Sequence, residues 1–318
     1  MLERLVSLLA EARRVFLVAH REPDGDALGA TLGLLHLLAD NGKDALAHSA
    51  GPVPEEYAFL PGLERLGPAA PEGVDLAVIL DCHEPERCGE AVAPFLRALP
   101  RVAVIDHHQG RAEFGAAIWV DPSYAATCQM VFDLAGRLGW SVGPRAATCL
   151  FVGLQTDTGS FRYGNTTPQA LRAAADLVQA GADPWAISQE VYATRPLRLR
   201  LLGRVMEAME LFADGRLALA VVSQADLDAL GAKPQDLEQA VEAMRGVPGV
   251  AVAALIKQTG PDQCKLSLRS RGGLDVAAVA AGLGGGGHRN AAGARLAMDL
   301  ASARTLVAEL LEPLAAAL

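Results

Sequence analysis

The chain has 318 residues, of which 51% are hydrophobic and only 5% aromatic, so it is long enough for two domains with cores of Ala, Leu and Val. A formal net charge of −9 excludes a general basic surface for long duplex nucleic acid but leaves a small anionic substrate open. The five cysteines (Cys82, Cys88, Cys128, Cys149, Cys264) form no CxxC pair, and no signal-peptide pattern is evident, which points to a cytoplasmic protein. Apolar runs such as DLAVIL and LALAVV fall far short of the ~20 residues of a membrane span, so no membrane partner is expected.

In chain order, RVFLVAH (14–20) reads as a strand ending at His20, and residues 27–42 as a helix closed by Asn41-Gly42. DLAVILD (75–81) and RVAVIDHH (101–108) are two more all-apolar strands, and helices are expected at 124–139, 144–156 and 168–181, with TDTGSFRYGNTTP as a loop. Apolar strands separated by helices predict an α/β domain, a parallel sheet with helices on both faces. The Arg-rich stretch 187–210 reads as a helical linker. A smaller α+β domain follows, with strands in DGRLALAVVS, GVAVAALIK and QCKLSLRS, a short helix running into GGGGH, a helix opening just after the glycines, and a final helix. The expected division is therefore 1–186, 187–210 and 211–318.

Each strong strand of the first domain delivers an acid or an imidazole at its carboxyl end, where open α/β sheets bind ligands. The first gives His20, with Asp24 and Asp26 in the next loop; the second gives Asp81; the third gives Asp106, His107 and His108. Converging carboxylates repel one another, and no nearby run of Lys or Arg neutralises them. Divalent cations would, and a mixed Asp/His donor set favours Mn²⁺, or Zn²⁺ or Co²⁺, over Ca²⁺. Two such ions can clamp a phosphoryl group. Singly, each element is weak: Asp-Gly is usually a turn, and Asp81 alone reads as a helix cap. The conjunction at three strand ends carries the reading.

With those residues in view, the chain resembles the DHH superfamily of phosphoesterases, named for the triplet Asp106-His107-His108. HREPDGDALGA (20–30), ILDC (79–82), VIDHH (104–108) and GLQTDTGSFRY (153–163) look like its motifs in order, and GGGGHRNAAG (284–293) like the signature of the DHH-associated C-terminal domain. SFRYGNTTP, SLRS and the compact length resemble the bifunctional oligoribonuclease and PAP phosphatase group. The resemblance implies two Mn²⁺ ions, one held by His20, Asp24 and Asp81 and the other by Asp26, Asp81, His107 and Asp157. It further implies that Asp106 orients a neighbouring group and that His108 faces the phosphate. Substrates would be short RNA oligonucleotides, linear dinucleotides and 3′-phosphoadenosine 5′-phosphate (pAp).

In the second domain the glycines Gly285, Gly286 and Gly287, with Arg269, His288 and Asn290, form a candidate clamp for a terminal phosphate, and Arg162 is a weaker candidate contact. A bare glycine run is otherwise a flexible loop. Cys82, His83 and Cys88 lack a suitably spaced fourth zinc ligand and read as ordinary side chains, and His36 and His48 carry no assigned role. Related alternatives are a cyclic-dinucleotide phosphodiesterase, a RecJ-like single-strand exonuclease and a manganese pyrophosphatase. The alternative of another class is a non-catalytic nucleotide-binding protein. The apolar helices of the first domain leave room for a homodimer.

Overall fold

The computed structural model describes residues 2–110, 112–237 and 240–318, without the side chains of Gln235 and His288. The chain forms two compact units, Met1–Ala193 and Thr194–Leu318. The Arg-rich stretch 187–210 is thus divided between them.

In the first unit, α1 (Leu2–Glu11), β1 (Arg14–Val18), α2 (Gly25–Asp40), β2 (Asp44–His48), β3 (Leu76–Leu80), α3 (Ala93–Ala98), β4 (Val102–Asp106) and β5 (Ala117–Val120) precede four helices. These are α4 (Thr127–Leu138), α5 (Pro144–Asp157), α6 (Pro168–Gln179) and α7 (Pro184–Val191). The strands make a sheet in the order β2-β1-β3-β4-β5, parallel throughout. Strands buried on both faces carry no polar alternation, which is why their sequences read as continuous apolar runs. Val15, Leu17, Val78, Leu80 and Ile105 pack with α1, α2, α4 and α5, whereas Phe16, Val18, Ile79 and Val104 point to the other face, under α3 and the turn at Cys88. The expected α/β sheet covered on both faces is present. The two edge strands β2 and β5 escaped the sequence reading because they are short and half-buried.

Helices α2 and α5 lie closely against each other, and small residues at four-residue spacing make this possible. A Cβ at Gly29 would sit 2.5 Å from the carbonyl oxygen of Cys149, and one at Gly153 would sit 2.7 Å from Asp26 Oδ1. That approach places the amino end of α2 beside the carboxyl end of α5.

The second unit contains α8 (Pro196–Glu207), β6 (Glu210–Phe212), β7 (Leu217–Val222), α9 (Gln224–Leu230), α10 (Ala240–Gly246), β8 (Val252–Gly260), β9 (Gln263–Ser270), α11 (Val276–Gly282), β10 (Gly286–His288), β11 (Ala291–Leu296) and α12 (Leu300–Ala316). Its sheet runs β10-β11-β9-β8-β7-β6, antiparallel except for the β7–β8 pair. One face packs on α11 and α12, the other on α8, α9 and α10, an α+β arrangement as expected. The glycine run does not open a helix. It forms the edge strand of a hairpin with β11, where Ala292, Ala294 and Leu296 alternate inward. Gly285 and Gly287 are required by that pairing: a Cβ at either would lie within 2.5 Å of a β11 oxygen, at Gly293 and Ala291 respectively.

Candidate metal centre

Three strand ends and three helix ends of the first unit meet above the sheet. His20 follows β1, and its Nε2 lies 3.3 Å from Asp81 Oδ2 and 3.9 Å from Asp24 Oδ1. Asp24 is the N-cap of α2, accepting from the backbone N–H groups of Asp26 and Ala27. Asp81 follows β3 in the left-handed region (φ 59°), a conformation costing a non-glycine residue roughly 1 kcal/mol or more. Its amide nevertheless stays on the sheet, donating to Ile105 O at 3.0 Å, while its carboxylate is turned into the centre.

Asp26 is buried, and both its oxygens are held by the amino end of α4: Oδ1 accepts from Cys128 N (2.8 Å) and Oδ2 from Thr127 N (2.6 Å). A carboxylate at a helix amino terminus is favoured by the unpaired N–H groups and the helix dipole. The Thr127 hydroxyl donates to Asp81 Oδ1 at 2.9 Å, so one residue braces two carboxylates. His107 Nε2 lies 3.0 Å from Asp157 Oδ2, 3.6 Å from Asp81 Oδ1 and 3.8 Å from Asp26 Oδ2. Its Nδ1 faces the Tyr124 carbonyl at 3.4 Å. Asp106, fully buried at the end of β4, binds His83 Nδ1 through Oδ2 (2.5 Å) and His108 through Oδ1, at Nδ1 (2.7 Å) and the backbone N–H (3.0 Å).

The electrostatics follow from crowding. Burial, reinforced by Asp26, Asp24 and Asp157, pushes the Asp81 carboxyl well above its usual range. Burial and Asp26 also raise Asp157, to about 6, although His107 pulls it down. Burial works against protonation of His107, but the hydrogen bond to Asp157 and the Asp26 charge prevail and raise it to about 9. Burial lowers His20, partly offset by Asp24. Asp106 would be raised by burial, but its bonds with His108 and His83 hold it below the ordinary carboxylate range. The centre is thus an excess of negative charge awaiting positive partners.

Among the described residues, donor atoms fall into three groups in which all lie within 4.8 Å of one another: His20, Asp24 and Asp81; Asp26, His107 and Asp157; and Asp81, His107 and His108. All six expected ligands therefore share one site, with Asp81 in two of the groups. A mixed carboxylate–imidazole set of this size fits a pair of divalent cations.

The family model for the DHH family N-terminal domain matches residues 14–154, and that for the DHHA1 domain matches residues 215–313. A bifunctional oligoribonuclease and PAP phosphatase, NrnA, from Thermus thermophilus is 37% identical over 93% of this chain and 88% of its own length. The chain belongs to the DHH family. The NrnA of Bacillus subtilis, also a bifunctional oligoribonuclease and PAP phosphatase, is 26% identical over 89% of each chain. Among solved structures, an exopolyphosphatase-related protein from Bacteroides fragilis superposes with a TM-score of 0.92 at 26% identity, covering 99% of this chain and 97% of that one. As a DHH-family phosphoesterase the protein is an enzyme, and the family's use of divalent metals suits the donor groups described above.

Other expected residues lie elsewhere. Arg162 is exposed, its Nε donating to Gly159 O at 2.7 Å, in a turn where Gly159, Ser160 and Phe161 are all left-handed. In the second unit Arg269 stands opposite Ala291 in the β9–β11 register, and Asn290 Oδ1 accepts from Ser270 Oγ. Arg269 Nε donates to Glu242 Oε1 at 2.5 Å, so that arginine already holds a carboxylate. His288 is placed in β10, but its side chain lies outside the described residues. The sequence reading missed Thr127 and His83. Thr127 was legible only as a hydroxyl at a helix start, and His83 only as an imidazole two residues beyond Asp81. All five cysteines are free and buried. Among the described residues no helix is long and apolar enough to cross a membrane.

Proposed function

We propose that this centre, loaded with two Mn²⁺ ions in the cytoplasm, hydrolyses short oligoribonucleotides and linear dinucleotides to mononucleotides and removes the 3′-phosphate of pAp to give AMP. The observation that carries the reading is that the His20–Asp24–Asp81 triad and the Asp26–His107–Asp157 triad adjoin at Asp81 and His107, whose Oδ1 and Nε2 lie 3.6 Å apart. On this reading His20, Asp24 and Asp81 hold one ion, and Asp26, Asp81, His107 and Asp157 the other. When bound, such a pair supplies Lewis-acid charge for the phosphoryl oxygens and lowers the pKa of water. The names of the full-length relatives support the two substrate types.

The chain's own residues do the rest. Thr127 orients Asp81, and the α4 amides fix Asp26. Tyr124 O, facing Nδ1, fixes the ring of His107. His108, its ring centroid 4.6 Å from that of His107 with the planes tilted by 56°, is anchored by Asp106; it faces the phosphate and stabilises negative charge as it builds on the transferring group. Arg269, Gly285, Gly286, Gly287, His288 and Asn290 recognise a terminal phosphate in the second unit, the phosphate competing with Glu242 for Arg269, and Arg162 contributes a further contact.

The test is Mn²⁺-dependent release of mononucleotide from a labelled ribodinucleotide, run beside phosphate release from pAp, with Mg²⁺, Co²⁺ and Zn²⁺ in parallel. Asp81→Ala and His107→Ala should abolish both activities. Survival of either activity in these variants refutes the shared site, and turnover with another cation alone refutes the manganese assignment.

A further inference from the structure

Among the described residues, Asp106 belongs to none of the donor groups that could hold a cation, yet it is fully buried and both its oxygens are hydrogen-bonded. Oδ1 receives the backbone N–H and Nδ1 of His108, and Oδ2 receives Nδ1 of His83, a residue from a different strand end. An ionised carboxylate only accepts, so both imidazoles must present their protons at Nδ1. This places a proton of the His108 ring at Nδ1. His83 reaches this position because Asp81, two residues before it, turns the chain through a left-handed φ of 59°. Its ring lies against Gly110, where a Cβ would come 2.8 Å from Nε2 and 2.9 Å from Cε1. The ring is therefore held on one side by a carboxylate and on the other by a residue with no side chain.

We propose that His83 is a positioning residue for the hydrolysis, acting through Asp106 to hold the His108 ring in one orientation with a proton at Nδ1. The proposal rests on the phosphoesterase reading of the site. Without His83, Oδ2 of a buried carboxylate loses its donor, and Asp106 is free to rotate or share the His108 proton differently. The ring of His108 would then be correctly placed only part of the time. Removal of an outer partner of this kind typically costs ~10–100-fold. Because His83 touches no donor group, the loss should fall on kcat and leave KM within about threefold.

The experiment compares His83→Ala, His83→Asn and His83→Gln in the Mn²⁺-loaded protein with a labelled ribodinucleotide. Asn keeps an N–H donor where Nδ1 lies, whereas Gln carries it one carbon further out. The expected result is a 10–100-fold fall in kcat for Ala and Gln, with most of it restored in Asn. A second readout needs no turnover. In ¹⁵N-labelled metal-free protein, the His108 Nδ1–H proton should be protected from solvent exchange in the wild type and in the Asn variant, and lost in the Ala variant. Wild-type kcat in His83→Ala, or equal kcat in the Asn and Gln variants, overturns the proposal. Should the Ala variant fail to fold, the Asn and Gln pair decides alone. If the wild type cleaves no phosphoester, the proposed function fails, and the protected proton still judges the His83–Asp106–His108 connection.

Discussion

Replacing Thr127 by Val removes one hydroxyl and nothing else of consequence at the metal centre. The backbone N–H of residue 127 continues to serve Asp26 Oδ2, and the side chain keeps its shape and volume. What is lost is the 2.9 Å hydrogen bond from Oγ1 to Oδ1 of Asp81, a carboxylate with 1% exposure and no access to compensating water. A hydrogen bond to a charged group contributes ~1.5–3 kcal/mol, equivalent to roughly a tenfold to hundredfold change in an equilibrium constant. Asp81 is already pushed toward its protonated form by burial and by Asp26, Asp24 and Asp157. Loss of a donor pushes it further, so an incoming cation must displace a more tightly held proton. The expected result is about tenfold weaker Mn²⁺ affinity at pH 7, the low end because the cation itself relieves part of the vacated acceptor. Calorimetric titration of the metal-free protein reads this directly, and circular dichroism checks that the variant is folded. A folded Thr127→Val protein with Mn²⁺ affinity within twofold of wild type would show that Asp81 does not depend on this brace, and the reasoning would be wrong.

Gly29→Ala introduces a methyl 2.5 Å from Cys149 O, so α2 and α5 must separate; a loss of ~1–3 kcal/mol in urea unfolding is expected, together with weaker metal binding, because Asp26 and Asp157 move apart. Unchanged unfolding would mean the helices are not in close register. The stability of the metal-free protein should fall as pH rises from 6.5 toward 9. His107 is raised from 6.5 to about 9 in the folded state, so its contribution is complete below 6.5 and lost through 9. Asp157, raised from 3.8 to about 6, acts in the same direction at lower pH, favouring the folded state below 3.8 and ceasing to do so through 6. Thermal melts across this range, with and without Mn²⁺, test the point: the metal-loaded protein should not show the decline, and a metal-free protein whose midpoint rises from pH 6.5 to 9 contradicts it. Arg269→Ala should raise KM for substrates with a terminal phosphate far more than for a generic phosphodiester, as measured by steady-state kinetics; equal effects on the two would remove Arg269 from substrate recognition.

How much of this was legible in the sequence depends on where each partner lies along the chain. His20, Asp81 and the Asp106–His108 triplet directly end or follow all-apolar strands, and burial of a strand on both faces leaves an unbroken apolar run that anyone can read. The donor residues, the parallel sheet and the family were therefore set by local pattern. Tertiary structure decided how the donors are held. Asp26 is fixed by amides 101 and 102 residues away, on α4, and nothing local to either segment announces the pairing. Asp157 reaches the centre only because glycines on α2 and α5 allow two helices to approach. His83 looked like an ordinary imidazole until the turn at Asp81 carried it onto Asp106. The glycine run was visible as glycine, but its use as a strand edge required the β11 partner, since a period-two pattern has meaning only against the strand it pairs with. Sequence fixes which groups are present and which lie at strand ends; packing chooses hydrogen-bond partners across the chain, because buried carboxylates must take whatever donors the fold brings within reach.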